Sequence, residues 1–324
     1  MTYRLPARVT TPRDAYYPFL IVVHWPGIPL SLRSSTLARK IMLKFNDSLD
    51  TALHAARAGA AVLQTYAHKR EDLIIDHKGR NDLVSQADRD AETAILEVLR
   101  ARTPDFGVVA EESGGKPVGP ATWYIDPLDG TTNFLHGVPH YAVSIGLIAH
   151  AGAPDETGQP LKEDTPVVAV VYDPCRNEMF TAVHGVGAWL NEYRMTCSRA
   201  QTMQEALLAT GLPFRDFSFT DQYLPILHDA IEQSLGVRRF GAAALDMAWV
   251  ACARYDGYWE MGLSPWDLAA GTLLVREAGG IVQDMLGDFS WPRDGNVVAG
   301  NNMIQPLLSD LVRPHLKPRR QGCD

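Results

Sequence analysis

The chain has 324 residues, of which 46% are apolar and 21% charged, and its formal net charge is −8. This composition is that of an ordinary globular protein and argues against disorder or collagen-like repeats. No apolar run approaches the roughly 20 residues of a membrane helix, so we expect no membrane association. The four cysteines show no paired spacing, which argues against a zinc knuckle or a disulfide framework and favours a cytoplasmic protein.

The charge is divided unevenly along the chain. Residues 1–41 carry six basic side chains against Asp14 alone, a net of +5, and the remainder carries −13. Because such an acidic body repels polyanions, direct nucleic-acid binding is not expected. Residues 1–41 are also rich in proline and show no sustained period. We predict that this N-terminal extension takes no part in the fold, with an ordered N-terminal arm as the alternative.

Helical and strand patterns alternate from residue 42 onward. Apolar residues at three- and four-residue steps predict a helix from Met42 and a second one from about 84 to 99, where Asp88 lies unexpectedly on the apolar stripe. Strands are predicted at 107–110, 122–125, 141–149, 167–172 and 178–182, with a surface loop over 152–165. Further helices are predicted near 220–235, 242–253 and 266–278, and further strands near 207–210, 236–240, 257–261, 280–284 and 296–300.

Carboxylates follow several of these elements. Glu111 and Glu112 come directly after the strand at 107–110, Asp126 and Asp129 follow the apolar run at 123–125, and Asp267 lies at the start of the helix near 266–278. Any one of them is well explained as a helix cap or a solvated loop residue. As a set at strand ends and helix starts, they indicate a cage for Mg²⁺, which prefers oxygen ligands and keeps several waters.

The segment after Asp126 adds to this indication. The spacing of Asp126 and Asp129 lets one carboxylate bridge two ions while the other binds a single ion, and the Leu128 carbonyl could be a further oxygen ligand. Residues 130–132, Gly-Thr-Thr, then supply a tight turn, backbone N–H groups and hydroxyls of the kind that hold a phosphate. The sequence therefore indicates that bound metal ions allow this acidic protein to bind a small phosphorylated substrate.

Two stretches of the chain resemble the two signatures of the inositol monophosphatase family. The first comprises residues 109–114 and 123–134, and the second comprises residues 264–271 and 276–280. Further matches lie in family order across about 42–305, and the resemblance is greatest to the bacterial inositol-1-monophosphatase, or extragenic-suppressor, branch. It implies a mixed α/β fold, a layered αβαβα sandwich of the inositol monophosphatase and fructose-1,6-bisphosphatase type. The implied halves are 42–185, with most metal ligands, and 186–324, with Asp267.

The resemblance also implies a set of two or three Mg²⁺ ions. One ion would lie between Glu111, Asp126 and the Leu128 carbonyl. A second would use Asp126, Asp129 and Asp267, and a weaker third would depend on Glu111 and waters.

Catalytic and substrate-binding roles follow from the same resemblance. Glu112 and Thr131 would activate a metal-bound water for in-line attack on phosphorus, with Asp88 hydrogen-bonded behind Thr131. The implied substrate-binding residues are Asp129, Gly130, Thr131, Gly241, Ala243 and Glu260. One departure from the family pattern is Ala242, where members often carry serine or threonine, and this leaves the choice among substrate alcohols open.

The implied function is Mg²⁺-dependent, lithium-sensitive hydrolysis of myo-inositol monophosphates by a cytoplasmic homodimer. One alternative keeps the chemistry and changes the substrate to fructose-1,6-bisphosphate, histidinol phosphate or a nucleotide bisphosphate. Another is an additional, non-enzymatic role as an antitermination partner in a transcription complex, since the extragenic-suppressor branch is associated with that process.

Overall fold

The computed structural model describes residues 36–70, 73, 75–79, 82–154, 158–213, 216–288, 290–292 and 294–317. The prediction that 1–41 takes no part in the fold therefore lies outside the described residues, except at 36–41, where the first helix begins. The helices are α1 (Thr36–Ala67), α2 (Gln86–Arg102), α3 (Thr131–Leu135), α4 (Thr220–Gln233), α5 (Ala243–Ala251), α6 (Pro265–Glu277) and α7 (Ile304–Val312).

The strands fall into a two-stranded, an eight-stranded and a five-stranded sheet. Those before residue 150 are β1 (Ile75–Gly79), β2 (Asp82–Ser85), β3 (Gly107–Ala110), β4 (Gly114–Lys116), β5 (Ala121–Asp129) and β6 (Ala142–Ala149). The next four are β7 (Thr165–Asp173), β8 (Glu178–Val183), β9 (Gly187–Leu190) and β10 (Tyr193–Arg194). The last five are β11 (Leu207–Thr210), β12 (Gly236–Arg238), β13 (Gly257–Glu260), β14 (Ile281–Asp284) and β15 (Val297–Gly300).

The eight-stranded sheet has the order β10-β9-β8-β7-β6-β5-β3-β4. Its middle strands β5 and β6 are buried along their whole length, because helices cover both faces of the sheet. The β3–β5 pair is parallel and the other pairs are antiparallel. The parallel pair matters for the site, since it places the C-terminal end of β3 beside Ile125, in the middle of β5.

The five-stranded sheet has the order β12-β11-β13-β15-β14. Neighbouring residues on a strand point to opposite faces, and Tyr258 on β13 joins the apolar cluster of α5 and α6 while Trp259 joins that of α4 and α7. This sheet is therefore covered on both faces as well.

The elements stack in five layers. Helices α1 and α2 pack together and cover one face of the large sheet, and α5 and α6 lie between the large and the small sheet. Helices α4 and α7 cover the far face of the small sheet. This confirms the predicted mixed α/β fold, a layered αβαβα sandwich.

Some elements differ from the sequence prediction. Helix α1 begins at Thr36 rather than Met42, and β1, β2, β4, β9, β10, α3 and α7 were not predicted, since most are short. Strand β9 pairs with β8 and β10 pairs with β9, so the large sheet continues to Arg194, past the predicted division at 185/186. The described cysteines Cys175, Cys197 and Cys252 are free. Among the described helices, none has the length and apolar character needed to cross a bilayer.

Candidate active site

The end of β3 lies beside the middle of β5. Ala110 pairs with Ile125 in the parallel register, and the Glu111 N–H donates to the Ile125 carbonyl at 3.1 Å. Because Asp126 is the next residue of β5, this register places Glu111 next to Asp126. The two carboxylates that the sequence put at separate strand ends therefore lie together.

A bulge in β5 brings Asp126 and Asp129 onto one face. Residues three apart in a regular strand point to opposite faces. Asp126 pairs with Ser144 and Asp129 with Ala142, so three steps on β5 match two steps on β6. The Leu128 N–H inside the bulge donates to Asp126 Oδ1 at 2.9 Å. The extra residue in β5 is thus what lets both aspartates face the same site.

Asp267 reaches the site from the central helical layer. It lies in the first turn of α6, where its Oδ2 accepts the Ser264 N–H at 2.7 Å in a capping box. The carboxylate is 9% exposed and close enough to Asp126 to act on its protonation. One predicted carboxylate ligand from the C-terminal half therefore joins the three predicted carboxylate ligands from the N-terminal half.

The protonation of Asp126 shows how closely these groups converge. Burial raises the pKa of Asp126 well above its ordinary value, and the negative charges of Glu111, Asp129 and Asp267 raise it further. Burial also raises the pKa of Asp129 to about 7, against the backbone N–H of Ala244 that lowers it. Several buried carboxylates with mutually unfavourable charges form an all-oxygen donor set that suits a hard divalent cation.

Thr131 lies at the centre of a hydrogen-bond chain. Its Oγ1 is 3.0 Å from Asp88 Oδ1 and 3.0 Å from the Leu128 carbonyl, so its single proton serves one acceptor at a time. Asp88 is 1% exposed, and its Oδ2 accepts the Ser85 N–H at 2.8 Å and the Ser85 hydroxyl at 2.6 Å. Burial raises the pKa of Asp88, and both Ser85 bonds lower it. The expected contact between Asp88 and Thr131 is present.

The predicted substrate side is built around the start of α5. Asp129 accepts hydrogen bonds from the N–H groups of Ala243 at 3.2 Å and Ala244 at 2.8 Å. The N–H of Ala243, a predicted substrate-binding residue, is therefore already bonded within the protein. Gly130 has a φ of 93° and Gly241 a φ of 83°, left-handed values that favour glycine.

Glu260, the last residue of β13, lies on the same side of the site. It is 7% exposed and accepts the Tyr258 hydroxyl. Burial, together with the negative charge of Asp267, raises the pKa of Glu260 to about 7, although the Tyr258 bond lowers it. The Glu260 carboxylate packs so closely on Gly211 that a Cβ there would overlap it.

Residues that the sequence analysis did not single out complete the site. Glu92 accepts the N–H groups of Glu112 at 2.8 Å and Ser113 at 2.9 Å. The Asn133 side chain donates to the Phe240 carbonyl at 2.7 Å, across the two halves of the chain. Glu92 could have been found by its position four residues after Asp88 on the same helix. No sequence signal points to the contact of Asn133.

A separate acidic cluster lies on α4. The potential metal-binding atoms of His228, Asp229 and Glu232 lie within 4.8 Å of one another. Among the described residues, no other group of three histidine, cysteine, aspartate or glutamate side chains lies within that distance. No three of the predicted cage carboxylates, all of them described residues, therefore lie within 4.8 Å of one another. The α4 cluster is largely exposed and its histidine bonds Asp229 directly, so we read it as a surface ion-pair group.

Known proteins resemble this chain in sequence and in structure. A sequence model of the inositol monophosphatase family matches residues 46–317. The chain is 42% identical over 281 residues to the Nus factor SuhB of Pseudomonas aeruginosa, which covers 83% of this chain and 97% of that protein. The crystal structure of extragenic suppressor protein SuhB from Bartonella henselae matches with a TM-score of 0.75 at 38% identity, covering 83% of this chain and 99% of that one. An inositol monophosphatase from Anabaena matches with a TM-score of 0.70 at 36% identity, covering 85% and 98%.

Proposed function

The chain belongs to the inositol monophosphatase family, in the branch of the SuhB proteins, and we propose that it is a Mg²⁺-dependent, lithium-sensitive phosphomonoesterase acting on myo-inositol monophosphates. The observation that carries the proposal is the convergence of Glu111, Asp129 and Asp267 on the buried Asp126. A phosphate monoester at neutral pH is an anion, so a cation must lie between it and these carboxylates. Membership of the family supports a phosphatase, and the Mg²⁺ and the substrate are the proposed parts.

The donor set fits the proposed Mg²⁺. The carboxylates of Glu111, Asp126, Asp129 and Asp267 and the carbonyl of Leu128 would hold two or three ions. When bound, the ions would neutralise phosphate charge and lower the pKa of a coordinated water. Hard oxygen ligands of this kind are those that Mg²⁺ takes in preference to nitrogen or sulfur ligands.

The chain's own polar groups supply proton handling and orientation. Thr131 can donate its proton to Asp88 or to the Leu128 carbonyl, so its oxygen keeps a lone pair directed elsewhere for a water proton. Two bonds from Ser85 fix Asp88 in this arrangement. We propose Thr131 and Glu112 as the pair that orients and deprotonates the attacking water, and the N–H groups of Gly130 and Thr131 as donors to phosphate.

Substrate choice depends on the opposite wall. Glu260, Asp129 and the backbone from Gly241 to Ala243 are the groups proposed to face the cyclitol hydroxyls. Ala242 is 1% exposed and offers no hydroxyl. Fructose-1,6-bisphosphate, histidinol phosphate and a nucleotide bisphosphate remain alternative substrates, and ranking them with inositol-1-phosphate by kcat/KM would identify the preferred one.

The test of the chemistry is phosphate release by Asp126→Asn. We expect the wild type to release phosphate from inositol-1-phosphate only with Mg²⁺ and to be inhibited by lithium. The substitution keeps the side-chain shape and removes a charge from the centre of the cage, so turnover should fall at least about 100-fold, as for removal of a principal catalytic group. Asp105→Asn, at an exposed position, is the matched control. Undiminished turnover by Asp126→Asn would overturn the proposal.

An additional role in a transcription complex is the second candidate. It is favoured by the name Nus factor borne by the Pseudomonas aeruginosa protein at 42% identity. Affinity capture of transcription factors by the wild type and by Asp126→Asn would test it. Capture by both proteins supports a role that does not need catalysis, and capture by neither contradicts the role.

We also propose a cytoplasmic homodimer. The family resemblance supports the dimer, and the free thiols of Cys175, Cys197 and Cys252 are consistent with a reducing compartment. Light scattering would distinguish a 35.7 kDa monomer from a species of twice that mass.

A further inference from the structure

We propose that Glu92 is a positioning residue that fixes the loop carrying Glu111 and Glu112, and so sets the affinity of the cage for Mg²⁺. The inference deepens the proposed function and rests on it for its catalytic consequence. Glu92 lies on α2 four residues after Asp88, and the side chains of both are buried. The same face of α2 therefore contacts two parts of the site, Thr131 through Asp88 and the loop after β3 through Glu92.

The loop between β3 and β4 consists of residues 111–113. Ala110 pairs with Gly114, so these three residues form the whole connection. Each of their N–H groups is bound outside the loop. The Glu111 N–H donates to the Ile125 carbonyl at 3.1 Å, and the N–H groups of Glu112 and Ser113 donate to Glu92. The backbone of the loop is thus held by β5 on one side and by Glu92 on the other.

The geometry at Glu92 requires a carboxylate. Oε2 accepts from Glu112 at 2.8 Å and Oε1 accepts from Ser113 at 2.9 Å, so both oxygens act as acceptors at once. Glu92 is 3% exposed, so its side chain is buried. Burying a carboxyl side chain is costly, and the two bonds that it accepts from backbone N–H groups offset part of that cost. A glutamine would replace one acceptor by an NH₂ group facing an N–H.

The consequence is a rigid position for Glu111. Its neighbours on both sides are anchored, and its side chain lies within hydrogen-bond reach of Asp126 and raises the pKa of that carboxyl group. If the loop were released, Glu111 would move away from Asp126 and the cage would hold Mg²⁺ less well. Residues that orient metal ligands from behind commonly change metal affinity or activity by about 10–100-fold.

The test compares wild type, Glu92→Gln, Glu92→Asp and Glu97→Gln, the last being an exposed residue of the same helix. Titration calorimetry measures Mg²⁺ affinity, and amide hydrogen exchange at Glu112 and Ser113 measures whether the loop is held. For Glu92→Gln we expect about 10–100-fold weaker Mg²⁺ binding, lost protection of both amides, and a lower kcat with KM for inositol-1-phosphate little changed. Glu92→Asp, which keeps two acceptors, should recover part of the affinity, and Glu97→Gln should match the wild type.

The outcomes separate this inference from the proposed function. Wild-type Mg²⁺ affinity and amide protection in Glu92→Gln would overturn the inference. A lower melting temperature with unchanged Mg²⁺ affinity would overturn it too, since that is the signature of a purely structural residue. If the wild type released no phosphate from any substrate, the proposed function would fail. Weaker Mg²⁺ binding and lost protection in Glu92→Gln would still support the positioning role.

Discussion

Asp246 is a buried carboxyl group without an evident partner. It lies on α5 with 1% exposure, and neither of its oxygens has a hydrogen-bond partner among the described residues. Burial raises the pKa of Asp246 well above its ordinary value, and the charges of Glu260 and Asp129 raise it further, against the opposite effect of Arg239. In contrast to Asp88 and Asp267, no capping or orienting bond offsets the cost of burying it.

Replacing Asp246 by asparagine should stabilise the protein at neutral pH. A carboxyl group whose pKa is raised by folding contributes its full stability below the unfolded pKa of about 4 and loses it as pH rises through the folded pKa. Asp246→Asn cannot ionise, so we expect it to be about 1–3 kcal/mol more stable than wild type near pH 7.5. Metal-free thermal melts between pH 4 and 8.5 would measure the difference.

The control for this prediction is Asp105→Asn, which changes the same group at an exposed position. Its melting curve should follow the wild type at every pH. Parallel curves for wild type and Asp246→Asn would show that the carboxyl group does not ionise on unfolding in the way its burial implies.

At the scale of elements, the sequence predicts where several strands end, but it does not predict the bulge within β5. The observed bounds of β3 and β11 match the prediction, because each is a short apolar run between polar or glycine-containing segments. The bulge that turns Asp126 and Asp129 to one face depends on pairing with β6, which no local pattern specifies. The glycine-rich β4 and the five-residue α3 lack a period long enough to detect.

The junction of β11 and β13 gives a prediction about substrate binding. Thr210 pairs with Trp259 in parallel, so Gly211 and Glu260 follow side by side. A Cβ in Gly211→Ala would displace the Glu260 carboxylate, which Tyr258 holds from the other side. We expect KM for inositol-1-phosphate to rise about tenfold, the equivalent of about 1.4 kcal/mol, with a smaller change in kcat.

Gly236→Ala provides the comparison for this element. Gly236 lies on β12, beside the same strand β11, and a Cβ there would meet only ordinary contacts at 3.4 Å or more. Its KM should equal that of the wild type. An unchanged KM in Gly211→Ala would remove Glu260 from the substrate-binding groups.

At the scale of the whole molecule, the sequence predicts the layers better than the contacts between the halves. Apolar periodicity predicts helices around mixed sheets, and the family resemblance implies the five-layered sandwich, which the packing of the elements and the similarity to the SuhB structure confirm. The side-chain contacts that join the halves, Asn133 to the Phe240 carbonyl and Asp129 to the start of α5, link residues more than 100 positions apart. Their partners are backbone groups, which carry no residue-type signal in the sequence.

Because the proposed cage draws ligands from both halves, Mg²⁺ should stabilise the molecule as a whole. Asp126 and Asp129 come from β5 of the large sheet, Glu111 from the loop that follows β3, and Asp267 from α6. At ten times its Kd, a ligand that binds only the folded state adds about 1.4 kcal/mol, which for a chain of this length corresponds to a melting temperature about 2–3 °C higher. In Asp267→Asn the amide oxygen can still accept the Ser264 N–H, so the cap of α6 remains while one ligand charge is lost. We expect this variant to lose most of the Mg²⁺-induced shift in a thermal melt, and Asp105→Asn to keep it. A full shift in Asp267→Asn would mean that the ion is bound without the C-terminal half.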